Sequence, residues 1–142
     1  MCGFIFWINY KNKVDPLKLE NAINLQNHRG PDNKNIIFFD DKKKFFQNQK
    51  NIKKKFRIGI AHTRLSILDL TEKSNQPMVS KDTNYSLIYN GEIYNYLELR
   101  NELIKEGNFF QSKGDTEVLF QILIKTGLHN YALISNILLL HI

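Results

Sequence analysis

Cysteine is nearly absent: Cys2 is the single one in 142 residues. That excludes an internal disulfide framework and suits a reducing compartment. Three prolines and seven glycines are too few for a Pro/Gly/Ser-rich linker, no segment repeats another, and the length is that of one domain. No apolar run approaches the roughly 20 residues that a membrane helix needs. The run from Cys2 to Ile8 is short and has no basic segment before it. Asn9, Tyr10 and Lys11 follow it in place of a small-residue cleavage site, so it does not read as a secretory signal. The cytoplasm is the expected location.

Acidic residues are outnumbered, 14 against 20 basic, for a net charge of +6. Lys42 to Lys44 and Lys53 to Lys55 supply six of the positive charges. Such clusters could meet the phosphates of a nucleic acid. They serve equally as the solvated ends of two hairpin strands, and no nucleic-acid partner is expected. Phe45 and Phe46 are adjacent, so strand alternation sends at least one of them inward. An apolar content of 42% suits a globular core.

Cys2 to Ile8 reads as a central strand, apolar on both faces. Asp15-Pro16 supplies a helix N-cap followed by proline at the first helical position. Leu19, Ala22, Ile23 and Gln26 then recur at helical spacing, to about Asn27. Gly30 and Pro31 in HRGPD stop that helix. Strand-like runs follow at Ile36 to Phe39, Phe56 to His62 and Tyr85 to Tyr89, with a polar loop containing Gln76-Pro77 between the last two. After Gly91 a helical stripe carries Tyr96, Leu97, Leu103 and Ile104 and ends near Gly107. Asp115 is expected to cap a further helix bearing Val118, Leu119, Ile122 and Leu123, ended by Gly127. The class is a layered α+β domain.

Four places could carry chemistry. An unassisted thiol is mostly protonated at neutral pH and needs a base to become a nucleophile. If Met1 is removed, which the small side chain of Cys2 permits, the α-amine of Cys2 could be that base; otherwise Cys2 is a small core residue. In YNGEIYN, Asn90 and Gly91 offer an amide NH2 and a backbone N–H, a pair suited to an oxyanion hole. Asn-Gly is also the strongest short hairpin signal. Arg64, at a strand end in AHTRLSILDL, has the planar fork that fits a carboxylate, or is a surface arginine. Asp115 in GDTE is a sufficient helix cap, and could also hold an ammonium group. Thiol, carbonyl-oxygen clamp, carboxylate clamp and ammonium clamp together match glutamine.

The motifs MCGFIF, HRGPD, AHTRLSILDL, NQPM, YNGEIYNYLELR and GDTEVLFQ, in this order, resemble the glutamine-hydrolysing domain of asparagine synthetase. That domain is a class II amidotransferase of the N-terminal-nucleophile type. HTRLSILDL stands where the glucosamine-phosphate synthase and phosphoribosyl-pyrophosphate amidotransferase branches have HTRWATHG-like text. The resemblance implies a four-layer α-β-β-α sandwich over residues 2–127. It implies Cys2 as nucleophile, with Asn90 and Gly91 forming the oxyanion hole. Arg64 would bind the substrate carboxylate, the backbone of Leu65, Ser66, Ile67 and Leu68 would line the same pocket, and Glu92 and Asp115 would hold the substrate amine. L-glutamine is the implied substrate, and a synthetase domain or subunit the implied partner. No metal or cofactor is implied for this chain; ATP and Mg belong to the synthetase domain.

The resemblance breaks off after Gly127. Residues 128–142 read as a divergent apolar tail in place of the family's last strands, and no SGGxDS-like loop follows. The stretch Tyr131 to Ile142 could be a helix, a strand patching an open sheet edge, or out-of-frame text. His129 and His141 are too sparse to argue for metal. The expectation is a domain that lacks its last strands and at most hydrolyses glutamine. The alternative is a catalytically inert remnant or partner-binding module of such a gene.

Overall fold

The computed structural model describes residues 2–11, 14–47, 56–126 and 137–141, the last as backbone only. It is a mixed α/β domain with two antiparallel sheets and three α-helices. The first sheet contains β1 (Gly3–Ile8), β2 (Asn33–Phe39), β3 (Phe45–Gln47) and β4 (Ile58–Arg64), in the order β1-β4-β2-β3. The second contains β5 (Met78–Val79), β6 (Tyr85–Tyr89) and β7 (Ile137–His141), in that order. The helices are α1 (Pro16–Asn24), α2 (Tyr96–Lys105) and α3 (Asp115–Thr126). Among the described residues, no helix is long and apolar enough to cross a membrane.

The sequence expectation put β1 in the middle of a sheet. Among the described strands it lies at the edge, and β4 takes the central place, paired with β1 on one side and β2 on the other. Every residue of β4 is buried, including His62, Thr63 and Arg64. Those polar residues mask the usual mark of a central strand, a continuous apolar run. The expected strand from Phe56 to His62 is displaced by two residues, so that Arg64 is its last member.

Both faces of the first sheet are covered. On one face, Ile36, Phe38 and Ala61 cluster with Leu19 and Ile23 of α1. On the other, Ile37, Phe39, Ile58 and Ile60 meet Ile88 of β6. The far side of the second sheet, with Met78, Leu87 and Tyr89, packs on Leu119, Phe120 and Leu123 of α3. Phe45 and Phe46 therefore both point inward, to opposite clusters. The hairpin β2–β3 turns through Asp40, whose carboxylate accepts from the Lys42 and Lys44 N–H groups. Lys42 to Lys44 are solvated there; Lys53 to Lys55 lie outside the described residues.

Local signals set the helix starts. Asp15 accepts from the Leu17 and Lys18 N–H groups, with Pro16 next to it, satisfying orphan donors at the start of α1. The helix ends three residues before the expected Asn27, and a 3-10 turn spans Asn27–Arg29. Gly107, at φ +91°, closes α2, a conformation glycine adopts without strain. Of the α2 stripe only Leu103 is buried, while Leu97 and Ile104 are 56% and 50% exposed. Asp115 begins α3 as its first helical residue and does not cap it. Gly127, His129 and residues 131–136 lie outside the described residues; from the tail, β7 pairs with β6.

Phe56 is the anchor of the α1 cluster, fully buried, stacked on Phe38 at 4.6 Å and edge-on to Phe46 at 5.4 Å. Phe56→Ala is expected to lower the unfolding free energy by about 3–5 kcal/mol, as for other buried phenylalanines. The shift in urea midpoint measures it.

Candidate active site

Cys2 enters β1 and is half-buried. Its backbone N–H donates to Asn90 Oδ1 at 3.1 Å, and the Leu65 N–H points at its Sγ from 3.4 Å. With Oδ1 engaged as acceptor, the donor end of the Asn90 amide is its NH2. Asn90 and Gly91 follow β6 and lead into α2 through a turn at 94–95, so the Asn-Gly pair makes no hairpin. A Cβ on Gly91 would stand 2.5 Å from the Tyr89 hydroxyl oxygen and 2.6 Å from the ring. Glycine is what lets this backbone lie against the ring.

Arg64, at the end of β4, is 7% exposed. Its Nη1 donates to Thr71 O at 2.9 Å and Asn75 Oδ1 at 3.0 Å, and Nη2 to Asp69 O. A guanidinium carries five N–H groups, so these three bonds leave two for a ligand. HRGPD braces the same strand end. Asp32 N–H donates to Arg64 O at 3.1 Å, and Asp32 Oδ2 accepts from Ser66 N–H at 2.7 Å. A Cβ on Gly30 would run into the backbone of Thr63 and Arg64.

Asp115, also 7% exposed, accepts from Ile93 N–H at 3.0 Å through Oδ2. Gln76, which precedes a cis peptide bond to Pro77, accepts from Tyr89 N–H at 2.6 Å and donates to Thr116 Oγ1 at 3.4 Å. It thereby links the end of β6 to the start of α3.

One cavity of about 310 Å³ is lined by Cys2, Arg64, Leu65, Ile67, Leu68, Asn90, Gly91, Glu92 and Asp115. This lies at the lower end for small-molecule sites. Of the residues singled out in the sequence, Ser66 alone does not line it; Ser66 faces a neighbouring cavity that also touches Arg64. Asp69, Gln76, Tyr89 and Thr116 line the site without having been singled out. All four lie inside the motifs quoted above, but their residue types alone give no role, because what brings them to the cavity is bonds such as Asp69 to Lys113 and Gln76 to Tyr89 and Thr116. Tyr89 is pushed up to about 12 by burial and by the nearby Asp115 and Glu92 carboxylates, so its hydroxyl stays neutral and closes one wall.

His62, one strand pleat behind Arg64, is fully buried, and neither ring nitrogen finds a hydrogen-bond partner among the described residues. Burial, then the Arg64 charge, lowers it from 6.5 to about 4. Between those values the unfolded chain takes up a proton that the folded chain refuses. Stability is therefore complete above pH 6.5 and falls as the pH drops toward 4, by about 3 kcal/mol in total. His62→Leu should flatten urea midpoints measured across that window.

The family model for the glutamine amidotransferase domain matches residues 1–138. The chain belongs to that family. It is 37% identical over 123 residues to the glutamine-hydrolyzing asparagine synthetase 1 of Bacillus subtilis, covering 84% of this chain and 17% of that protein. Asparagine synthetase 3 of the same organism is 31% identical over 129 residues, 88% of this chain and 18% of that protein. The isomerizing glutamine–fructose-6-phosphate aminotransferase of Fusobacterium nucleatum is 34% identical over 137 residues, 88% of this chain and 22% of that protein. The chain thus spans about a fifth of the length of these relatives.

Proposed function

We propose that the chain is a cytoplasmic glutamine-hydrolysing domain of asparagine synthetase type, residues 2–127 forming the amidotransferase unit in the α-β-β-α layering of N-terminal-nucleophile hydrolases. What supports the reading most is that a thiol, an amide donor, a cation and two carboxylates, drawn from four separate stretches of sequence, line one small cavity. Glutamine needs each of them once.

In the mechanism, Met1 is first removed. The freed α-amine of Cys2 takes the thiol proton, and the sulfur attacks the side-chain amide carbon of glutamine. The Asn90 NH2 and Gly91 N–H stabilise the negative charge that develops on the carbonyl oxygen. The protonated amine then gives its proton to the leaving nitrogen, and ammonia departs. Water, activated by the same amine, hydrolyses the thioester to glutamate. Arg64 holds the substrate carboxylate, with the Leu65 to Leu68 backbone alongside, and Glu92 and Asp115 hold its ammonium group. The ammonia passes to a synthetase domain or subunit that amidates aspartate with ATP and Mg, neither of which is assigned to this chain.

The test is glutamate release from glutamine by the purified protein, with Met1 removal confirmed by mass spectrometry. Release supports the reading. No release, together with no rise in melting temperature on adding a glutamine analogue, would leave the inert module standing in its place.

A further inference from the structure

Asp69 sits in the loop between β4 and β5 and is 7% exposed. On one side it belongs to the segment that grips Arg64. Its carbonyl accepts from Arg64 Nη2, and its Oδ1 accepts from the N–H of Thr71 at 2.8 Å. The carbonyl of Thr71 in turn accepts from Arg64 Nη1. On the other side, Asp69 Oδ2 accepts from Lys113 N–H at 2.6 Å, across 44 residues of sequence. Lys113 is two residues before Asp115. A single carboxylate therefore ties the support of the cation to the support of the anion. Among the described residues, the other side-chain hydrogen bond between this loop and the start of α3 is the neutral Gln76–Thr116 contact at 3.4 Å.

We propose that Asp69 is a positioning residue that sets the distance between Arg64 and Asp115, and so selects ligands carrying a carboxylate and an ammonium group on one carbon. The inference rests on the reading of the pocket as a glutamine site and adds to it the origin of α-amino-acid selectivity. The backbone donors of Lys113 and then Thr71 hold the Asp69 carboxyl well below the usual carboxylate range, so the tie is a charge-assisted hydrogen bond at neutral pH. Removing it leaves each clamp with its own partners: Arg64 keeps the Thr71, Asn75 and Asp69 carbonyl or amide oxygens, and Asp115 keeps the Ile93 N–H. What is lost is the fixed span. A ligand gripped at both ends gains from a preset span, because its second contact forms without further ordering; a ligand gripped at one end gains nothing from it.

The experiment titrates the full chain in the Cys2→Ala background, so that glutamine is not consumed, with and without Asp69→Asn. Three compounds are followed by NMR: glutamine, glutaramic acid, which lacks the amine, and 4-aminobutanamide, which lacks the carboxylate. Asp69→Asn is expected to weaken glutamine by about 30-fold and each single-ended compound by less than about 3-fold. Asp69→Glu, which keeps the charge and moves it by one methylene, should lie between the two; it carries the same comparison if Asp69→Asn does not fold. Unchanged glutamine affinity would overturn the proposal. So would parallel weakening of glutamine and glutaramic acid, which would make Asp69 a support of Arg64 alone. If the parent protein binds no glutamine at all, the fault lies with the site reading and not with Asp69.

Discussion

Replacing Cys2 by alanine should lower glutamate release from glutamine by about 10⁴-fold or more, leaving glutamine binding nearly intact. The size follows from removing a covalent nucleophile: what remains is the uncatalysed attack of water, helped only by positioning and the oxyanion donors. Folding should be little affected. Among the described residues, the side chain of Cys2 has only the Leu65 backbone within hydrogen-bonding reach, with Leu65 O at 4.0 Å and Leu65 N at 3.4 Å. The melting temperature of the variant therefore serves as a control, and the loss must appear in kcat. Glutaminase activity that survives the substitution would remove Cys2 from the mechanism, and with it the use of its α-amine as base.

The second large effect is expected at Asn90. Asn90→Ala should reduce kcat by about 10²–10³-fold with a small change in KM, the range seen when one oxyanion donor is deleted. Asn90 has another task, however, since its Oδ1 accepts from the Cys2 nitrogen. Alanine would displace the nucleophile as well, and a misplacement of about 1 Å can itself cost 10²-fold. Asn90→Asp separates the two roles. It keeps an oxygen for the Cys2 nitrogen, loses the NH2, and puts negative charge beside the developing oxyanion. It should fall at least as far as Asn90→Ala. Near-normal kcat in Asn90→Asp would mean that the side chain positions Cys2 and does not stabilise the transition state.

Much of the secondary structure is legible in the sequence because it depends on neighbours a few residues away. Asp15-Pro16 announces α1, Gly107 closes α2, and the short apolar runs mark β2 and β6. The short strands β3 and β5 are not legible; three and two residues long, they exist through pairing with β2 and β6. Local pattern says less where a sheet is covered on both faces. Phe45 and Phe46 need not choose one inward side when each face has its own core. The edge position of β1 depends on β4, about 60 residues away, whose polar end reads locally as surface.

For the site, the sequence by itself determined the chemical parts: a thiol at position 2, an Asn-Gly pair after a strand, an arginine at a strand end, and an acid at a helix start. Residue type and order suffice for that, since they are carried by short motifs. Only the tertiary structure decided that the parts share one hollow, that Asp32 and Gly30 brace Arg64, and that Asp69 ties the Arg64 loop to the start of α3. Those facts rest on hydrogen bonds spanning 32 to 88 residues. A bond of that reach is fixed by the packing of whole sheets and helices, which no local run of residues encodes.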